Sequence, residues 1–443
     1  MDLHELNDIA IGTAKALGVD DAVALSAKGT DSMIRFANNS VTVANRVEES
    51  ELTIYLARSR RRALASTSNL QSGAVKKFVR DLFSSMEGLP ESDYVPLPAR
   101  PNRFTPSSAG YDRKLESLEV ELPEMAGTAI AAATASGGKR SAGVINAGKV
   151  TVAILTSTGT RGIDSRTAIT LNIRSFAEKE ASGHGLSCSS SLSGFEPEEA
   201  GRRAGEGAKA MRNASEPEAG KYTVLLSPTV ASNLVETVAG AASAFAVDAG
   251  TSYLAGRVGK KVAARSINLS DHGVIKGGLG GRVFDDEGVR TRSNKIIEAG
   301  VLKGYLHNLT TASKWKVEDT GNAGFVAPHP WNLEIGGGDS TYGEMVKEMN
   351  KGIILTSNWY TRFKNYRTGE FSTVPRDGAY LVEGGRITRP LKGMRMGDDL
   401  ERMFSSVTLL SKDREWIQWW EVDTPTLCPW MQIGGVTITR AYG

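Results

Sequence analysis

The chain has 443 residues, of which 40% are hydrophobic and 23% charged, a composition typical of a globular protein that is long enough for two domains. A formal net charge of +3 is too small to indicate binding to nucleic acid or to an anionic membrane. The two cysteines, the acidic start and the lack of any apolar run of roughly 18 residues exclude a disulfide framework, a secretory signal and a membrane span, so we expect a cytoplasmic protein.

The N-terminal half predicts helices that alternate with β-type runs. Asp2 and Glu5 have the spacing of a capping box at the start of an amphipathic helix. Further elements are predicted in this order: β-type runs between Asp21 and Ala57 with a turn at Asn38–Asn39, a helix near Leu70–Met86, a proline-rich loop at Gly88–Ser107, a helix within Arg113–Ser136 that restarts at Pro123, several strands, and a helix at about Pro197–Arg212.

A polar segment, Asn213–Gly220, follows the last of these helices and contains proline and glycine. It predicts a boundary between a domain of residues 1–214, a mixed sheet with long helices, and a β-rich domain of residues 215–443 opened by one helix. The expected fold class is therefore α+β. Glu298-Ala299-Gly300 and Glu383-Gly384-Gly385 predict tight hairpin turns in the second domain.

The opening helix of the second domain is predicted over Leu226–Phe245. Ser227 is a favourable N-cap, and Pro228 occupies the first helical position. Glu236 lies off the apolar stripe, where a carboxylate could be a catalytic base or a solvated charge. The stripe itself is formed by Val230, Leu234, Val238, Ala241 and Phe245.

The histidines and cysteines do not predict a metal site. The chain has five histidines, no two of which have the spacing of metal ligands on a helix, and none accompanies Glu236. His184 and Cys188 form an H-x-x-x-C pair, but the glycines and serines around them favour a loop.

Two charged stretches have a structural and a chemical interpretation. "FDDEGVRT" (Phe284–Thr291) could supply paired carboxylates for acid–base chemistry or a cation, but a turn capped by Asp285 or Asp286 is favoured. "RSRRR" (Arg58–Arg62) lies between two β-type runs, so a charged hairpin tip is favoured over a nucleic-acid contact.

Aromatic residues are concentrated near the C-terminus. Tryptophan is common at interfaces and in peptide grooves, but the same residues could pack a core beneath the C-terminal strands, and both interpretations stay open. Two adjacent tryptophans in a strand cannot both face one core. The first group is Trp416, Trp419, Trp420 and Trp430; the second is Trp359, Tyr360, Phe363 and Tyr366.

Several stretches together resemble the TldD/PmbA (TldE) family over essentially the whole chain. They are "GKYTVLLSPTVASNLVE", "FDDEGVRTRSNKIIEAGVLKGYLHNLTTASK", "DTGNAG", "TGEFSTVPRDGAYLVEGGRITRPLKG" and "TPTLCPWMQIGGVTITR". The resemblance implies a two-domain α+β protein in which TldD and TldE subunits pair around a cavity. It also implies that TldD-type subunits bind the zinc of a metallopeptidase through HExxxH and a cysteine nearer the C-terminus.

In this chain the motif positions read Val235 to Gly240, so the glutamate matches at Glu236 and both histidines are replaced. Cys428 falls beyond the place of the family's zinc cysteine, where the sequence reads "SKDREWIQWWEVD". Without a metal-bound water to deprotonate, an unassisted carboxylate does not hydrolyse a peptide bond at a useful rate. We therefore expect Glu236 to be a residual motif position or a polar contact to the partner, and we predict no catalytic residue in this chain. The chain therefore resembles the TldE (PmbA) type, which has no zinc.

Our first hypothesis is a non-catalytic subunit of a cytoplasmic TldD/TldE metallopeptidase complex acting on unfolded or leader-type peptides. A TldD-like HExxxH partner would supply the zinc, and this chain would bind no cofactor, nucleic acid or membrane. The alternative is a homodimeric peptide-binding or scaffold protein with no peptidase role. A third option is an enzyme using Asp285, Glu287, His307 or Asn322; these residues and the four tryptophans Trp416, Trp419, Trp420 and Trp430 are the candidate substrate or interface residues.

Overall fold

The computed structural model describes residues 2–118 and 120–440 and contains two sheets. The first sheet belongs to the N-terminal half and has the strand order β3-β2-β1-β5-β6-β4, with β7 also on β6. All neighbours are antiparallel except β4 and β6. The strands are β1 (Asp21–Ala37), β2 (Ser40–Arg58), β3 (Arg61–Thr67), β4 (Arg103–Phe104), β5 (Arg140–Thr156), β6 (Arg161–Phe176) and β7 (Ser182–Ser189).

Tight turns create the long hairpins of this sheet. Asn38 and Asn39 have φ angles of 52° and 63° between β1 and β2, and Ser59 and Arg60 have φ angles of 47° and 64° between β2 and β3. Such left-handed pairs match the twist of two-residue hairpins. Both predicted turns, including the charged tip at Arg58–Arg62, are confirmed.

Four helices cover one face of the first sheet: α1 (Leu3–Ala16), α2 (Ser72–Glu87), α3 (Leu122–Ala135) and α4 (Pro197–Ala210). α1 and α2 pack on β1, β2 and β3, whereas α3 and α4 pack on β5 and β6. A short 3-10 helix, Arg113–Ser117, precedes α3, and the restart predicted near Pro123 is confirmed because α3 begins at Leu122.

The second sheet has thirteen strands among the described residues, built around the order β11-β10-β9-β12-β20-β8-β13-β16-β17. Its strands are β8 (Gly220–Leu226), β9 (Leu269–His272), β10 (Ser293–Glu298), β11 (Val301–Leu302), β12 (Leu333–Ile335), β13 (Lys351–Leu355), β14 (Asn358–Asn365), β15 (Glu370–Pro375), β16 (Ala379–Glu383), β17 (Arg386–Pro390), β18 (Met394–Asp399), β19 (Val407–Trp419) and β20 (Val422–Arg440).

Five helices accompany the second sheet among the described residues, and α5 packs against β20 in the largest hydrophobic core. They are α5 (Pro228–Ala241), α6 (Ala244–Asp248), α7 (Leu309–Trp315), α8 (Tyr342–Glu348) and α9 (Leu400–Ser405). The hairpin turns at Ala299–Gly300 and Gly384–Gly385 have positive φ angles, as predicted. The α+β fold class is confirmed, and the boundary between residues 214 and 215 stays a prediction.

The two halves meet through the open face of the first sheet. Val23, Val152 and Ile154 on that face form a core with Val283 and Phe284 of the second half. A Cβ on Gly162 would lie 2.9 Å from the Phe284 ring, so the glycine allows this close approach.

Three local predictions are wrong. Asp2 precedes α1 but its side chain accepts no capping hydrogen bond, so no capping box forms. His184 and Cys188 lie on β7 and not in a loop, because the glycines of β7 allow α4 to pack closely: a Cβ on Gly185 would lie 1.9 Å from the Ala200 carbonyl oxygen. Phe245 is exposed and does not extend the apolar stripe, because α5 ends at Ala241 and Phe245 belongs to the separate helix α6.

Of the helices within residues 2–118 and 120–440, none combines the length and the apolar character needed to cross a membrane.

Candidate functional site

The candidate site is built around α5, the helix at the family's motif position. Ser227 caps it by accepting a hydrogen bond from the Val230 N–H, and Pro228 stands in its first turn. Val235 is 0% exposed and packs in the core, whereas Gly240 is exposed and a Cβ built on it would meet no atom within 4 Å.

These residues do not fit a zinc ion. An aliphatic side chain and a glycine have no donor atoms, so Glu236 is the single zinc-ligand type of side chain left at the three motif positions. Within residues 2–118 and 120–440, no group of three or more His, Cys, Asp or Glu side chains is placed to hold a metal ion. The absence of a metal from this chain stays a prediction.

Glu236 contacts the turn that joins β19 to β20. Its Oε1 atom accepts a hydrogen bond from the Thr424 N–H at 2.6 Å. Burial raises the pKa of the Glu236 carboxyl, and the nearby charge of Asp423 raises it further. The carboxylate is thus engaged within its own chain.

The end of the β19–β20 hairpin, residues 418–424, is called here the hairpin tip, and its register places Trp419 opposite Val422. Trp419 is 7% exposed and packs on His184, with ring centroids 4.8 Å apart. Trp420 is 49% exposed and contacts Trp359 at 4.9 Å and Tyr360 at 6.0 Å. The prediction that adjacent tryptophans cannot face one core agrees with this arrangement.

The other two tryptophans lie elsewhere. Trp430 packs against Tyr342, with ring centroids 4.7 Å apart, and lines a second cavity of about 620 Å³ beside β7 and α4. Trp416 is half-buried beside Gly277, since a Cβ on that glycine would lie 3.4 Å from the indole nitrogen of Trp416. The structure therefore divides the predicted tryptophan group into three environments.

A cavity of about 660 Å³, called here the tip cavity, separates the hairpin tip from the open face of the first sheet. Gly29 of β1 and Gly148 of β5 are among its lining residues. Its other lining residues are Thr30, Asp31, Val47, Glu49, Asn146, Lys149, Val150, Arg166, Thr167, Ala168, Thr170, Gln418, Trp419, Trp420, Val422 and Asp423.

The lining of the tip cavity holds more carboxylates than cations, since Asp31, Glu49 and Asp423 stand against Lys149 and Arg166. Lys149 pairs with Glu116 at 3.2 Å, whereas Asp31, Glu49 and Asp423 form no ion pair with any residue that the structure describes. Burial raises the pKa of Asp31, and the charge of Glu49 raises it further. A positively charged group in the cavity would relieve this repulsion.

The predicted carboxylates of the "FDDEGVRT" segment form a turn between the two halves. Asp285 accepts hydrogen bonds from the N–H groups of Glu287, Val289 and Ala323, and Glu287 accepts one from Leu309 at 2.8 Å. Burial raises the pKa of Asp285 and of Glu287, and the charge of Asp285 raises that of Glu287 further. The predicted turn capped by Asp285 is confirmed.

His307 and Asn322 lie near this turn. Asn322 is fully buried and donates to Asp271 at 2.6 Å and to the His329 carbonyl. His307 is buried beside Thr311 at 3.2 Å, and burial lowers its pKa. Within the described part of the chain, the tip-cavity lining includes neither of them, nor Asp285 or Glu287.

Sequence reasoning missed two residues that organise the site. Asn233 lies one turn before Glu236 on α5, donates to the Glu421 carbonyl at 2.6 Å and accepts from Thr361 at 2.6 Å. Asp377 accepts from Arg174, Ser182 and the Trp359 indole N–H at 2.5, 2.6 and 3.0 Å. The position of Asn233 on the predicted helix, one turn before Glu236, was a weak indication of its role. No pattern in the sequence pointed to Asp377.

The fold and the site define a two-sheet α+β protein whose motif helix has a glutamate but no imidazole, beside a cavity with an aromatic wall. Residues 106–212 match the PmbA/TldA metallopeptidase central domain, and residues 219–440 match the PmbA/TldA metallopeptidase C-terminal domain. The chain belongs to the PmbA/TldD metallopeptidase family.

Two curated relatives illustrate the sequence similarity. A metalloprotease of Methanocaldococcus jannaschii is 32% identical over 206 residues, which cover 44% of each chain. Metalloprotease PmbA of Escherichia coli O157:H7 is 29% identical over 196 residues, 44% of this chain and 42% of that protein. In both alignments the chain spans less than half of the relative's length.

Two solved structures share the fold over nearly the whole chain. A Thermotoga maritima protein, described as a proposed modulator of a DNA gyrase, superposes with a TM-score of 0.87 at 24% identity, covering 99% of this chain and all of that one. TldE from Thermococcus kodakarensis superposes with a TM-score of 0.86 at 19% identity, covering 98% and 99%.

Proposed function

We propose that this chain is a TldE/PmbA-type subunit of a cytoplasmic zinc metallopeptidase complex that acts on unfolded or leader-type peptides. A TldD-like HExxxH partner supplies the zinc, and this chain supplies part of the peptide-binding surface. The observation that carries the proposal is the motif helix, in which Glu236 stays between a buried Val235 and a bare Gly240.

The chemistry supports a non-catalytic role for this subunit. Metallopeptidases hydrolyse an amide with a water that the metal acidifies and a carboxylate deprotonates. Here the carboxylate of Glu236 accepts the Thr424 N–H, and the two other motif positions are occupied by Val235 and Gly240, which have no metal-ligating side-chain atom. The buried carboxylates Asp285 and Glu287 are bound by main-chain N–H groups, which favours a structural role for them as well.

The tip cavity supports peptide binding. It combines an exposed indole, Trp420, with carboxylates and with backbone from two sheets, the composition of a surface that binds extended peptides.

One observation favours the second candidate, a homodimeric binding or scaffold protein. β3 pairs with β2 only from Leu52 onward, so within the described chain residues 40–51 have no strand on that side. Val41, Val43 and Val47 are exposed on this segment. A free strand edge with valines can pair with a second copy of the chain.

The test is zinc stoichiometry and peptidase activity of this chain alone, then mixed with an HExxxH homologue from the same genome. We expect the isolated chain to bind no zinc and cleave nothing, and the mixture to form a heterodimer that cuts an unfolded peptide. Stoichiometric zinc and cleavage by the chain alone would overturn the proposal. A homodimer that binds peptide but does not bind the homologue would establish the alternative, a homodimeric binding or scaffold protein.

A further inference from the structure

The hairpin tip is held from two sides by polar contacts that span distant parts of the chain. Glu236 accepts the Thr424 N–H at 2.6 Å, and Asn233 donates to the Glu421 carbonyl at 2.6 Å. On the other side, the Tyr360 N–H donates to the Glu421 carboxylate at 2.8 Å. α5 and β14 thus hold the turn between them.

A second layer orients Asn233 itself. Asn358 and Thr361 both donate to the Asn233 amide oxygen, at 3.0 and 2.6 Å, so its amide nitrogen points at the tip. Tyr360 has a φ angle of 58°, a left-handed conformation that a non-glycine residue rarely adopts. The residue in this unusual conformation is the one whose N–H donates to the Glu421 carboxylate.

The residues held in this way form the wall of the tip cavity. Trp420 and Asp423 line the cavity. Trp420 directly precedes Glu421, whose carbonyl accepts from Asn233, and Asp423 directly precedes Thr424, whose N–H donates to Glu236. The turn contains only two residues, Trp420 and Glu421, between paired strands. In so short a turn, a displacement of Thr424 would be transmitted to Asp423 and to Trp420.

We propose that Glu236 is a positioning residue: it anchors the hairpin tip so that Trp420 and Asp423 face the tip cavity and contact an extended peptide there. The glutamate of the motif thus acts as a hydrogen-bond acceptor and not as a base. The peptide contact rests on the proposed function; the anchoring of the tip does not.

The two roles make different demands on residue 236. A base must lose and gain a proton, and an amide cannot do so at neutral pH, whereas an amide oxygen still accepts an N–H. Glu236→Gln should therefore preserve an acceptor and abolish a base. Glu236→Ala removes the acceptor, and Glu236→Asp withdraws it by one methylene while keeping the charge.

The experiment combines two readouts on these variants, with Glu124→Ala, an exposed glutamate on α3, as the matched control. The first readout is ¹⁹F NMR of the isolated chain labelled with 5-fluorotryptophan, in which Trp420→Phe assigns the Trp420 resonance. The second is the affinity of the isolated chain, and the KM and kcat of its complex with the HExxxH homologue, for a synthetic unfolded peptide of twelve residues.

We expect Glu236→Ala and Glu236→Asp to shift or broaden the Trp420 resonance and to weaken peptide affinity about fivefold, with KM raised and kcat unchanged, as for the loss of one hydrogen bond. Glu236→Gln and Glu124→Ala should match the wild type. If Glu236→Ala does not fold, Glu236→Asp decides the question.

Two results would overturn the inference: an unchanged Trp420 resonance in Glu236→Ala and Glu236→Asp, or a Glu236→Gln variant that loses as much as Glu236→Ala. If the homologue forms no complex, the proposed function fails but the NMR readout still tests the anchoring. A shifted Trp420 resonance with unchanged peptide affinity would overturn the peptide contact alone.

Discussion

At the scale of single residues, burial determines which side chains the two motif positions on α5 can accept. Val235 and Gly240 occupy equivalent motif positions on one helix, yet the first faces the core and the second faces solvent. A histidine placed at position 235 would therefore be buried in the core, whereas a histidine placed at position 240 would be exposed to solvent.

Restoring the motif histidines should not restore zinc binding. We expect Val235→His to destabilise the fold by about 2–4 kcal/mol because it buries a polar ring in an aliphatic core, and Gly240→His to change stability by less than about 1 kcal/mol. Urea denaturation of each single variant measures this difference, and metal analysis of the double variant measures zinc. A stable double variant with one zinc per chain would show that the core around residue 235 can open.

The buried carboxylates between the two halves should make stability depend on pH. Because the folded-state pKa of Glu287 is raised, the native state holds a proton that the unfolded state releases, so stability falls as pH rises from about 5 to about 8. Glu287→Gln keeps an acceptor for the Leu309 N–H and removes the buried charge. It should gain about 1 kcal/mol relative to the wild type at pH 8, and less at pH 5.

Denaturation curves at both pH values test this expectation, with the exposed Glu348→Gln as the control. An equal effect of Glu287→Gln at pH 5 and pH 8 would mean that Glu287 titrates normally.

Among the elements, the α3–α4 pair depends on glycines that only the packing explains. A Cβ on Gly201 of α4 would lie 2.1 Å from the Ala129 carbonyl oxygen of α3, whereas a Cβ on Gly127 of α3 would meet no atom within 4 Å. The same substitution should therefore have opposite signs on two helices that touch each other.

We expect Gly201→Ala to cost about 1–3 kcal/mol because the helices must separate. Gly127→Ala should instead stabilise the protein by about 0.5–1 kcal/mol, since alanine lowers the entropy of the unfolded chain and favours helix. Thermal unfolding of both variants checks the signs. Two variants of the same sign would show that α3 and α4 adjust without strain.

At the scale of the whole molecule, Asp377 joins the two halves. Its side chain is fully buried and accepts hydrogen bonds from Arg174 and Ser182 of the first sheet and from Trp359 of the second half. Asparagine tolerates the left-handed φ of 61° at this position but leaves the Arg174 charge unpaired.

Asp377→Asn should therefore cost about 2–3 kcal/mol of folding stability; the cost is limited because Arg174 is partly exposed and solvent screens part of its charge. Because the substitution weakens a contact between the two halves, we also expect them to unfold in separate steps. Asp339→Ala, an exposed loop residue, serves as the control. Hydrogen exchange resolved along the chain measures the separation. A single cooperative transition in Asp377→Asn would assign the coupling to the apolar contacts around Phe284.

The charge of the tip cavity should select peptides by charge. Among the described residues of the lining, Asp31, Glu49 and Asp423 lie outside ion pairs and outnumber Arg166, the cation without one. A lysine-rich unfolded peptide should therefore bind about tenfold more tightly than a glutamate-rich one at low salt. Fluorescence anisotropy at 50 and 500 mM salt checks this, with the difference shrinking at high salt. Asp31→Asn together with Glu49→Gln should reduce the preference; an unchanged preference would place the peptide elsewhere.

Part of this architecture could be predicted from the sequence because its causes are local. Asn38–Asn39 and Gly384–Gly385 supply left-handed turn residues, Ser227-Pro228 starts a helix, and Asp285 caps a turn whose donors lie two and four residues away. The missed features involve partners far apart, as with the glycines of β7, whose extended conformation follows from contact with α4.

The sequence by itself determined the α+β class, the family motif and the loss of both imidazoles, because these depend on residue identity and on spacing within a few turns of chain. Only the tertiary structure decided what Glu236 contacts, and that Trp419 is buried whereas Trp420 is exposed. Glu236 and Thr424 are 188 residues apart, and such a pair forms only when the packing of a helix against a distant hairpin brings donor and acceptor together.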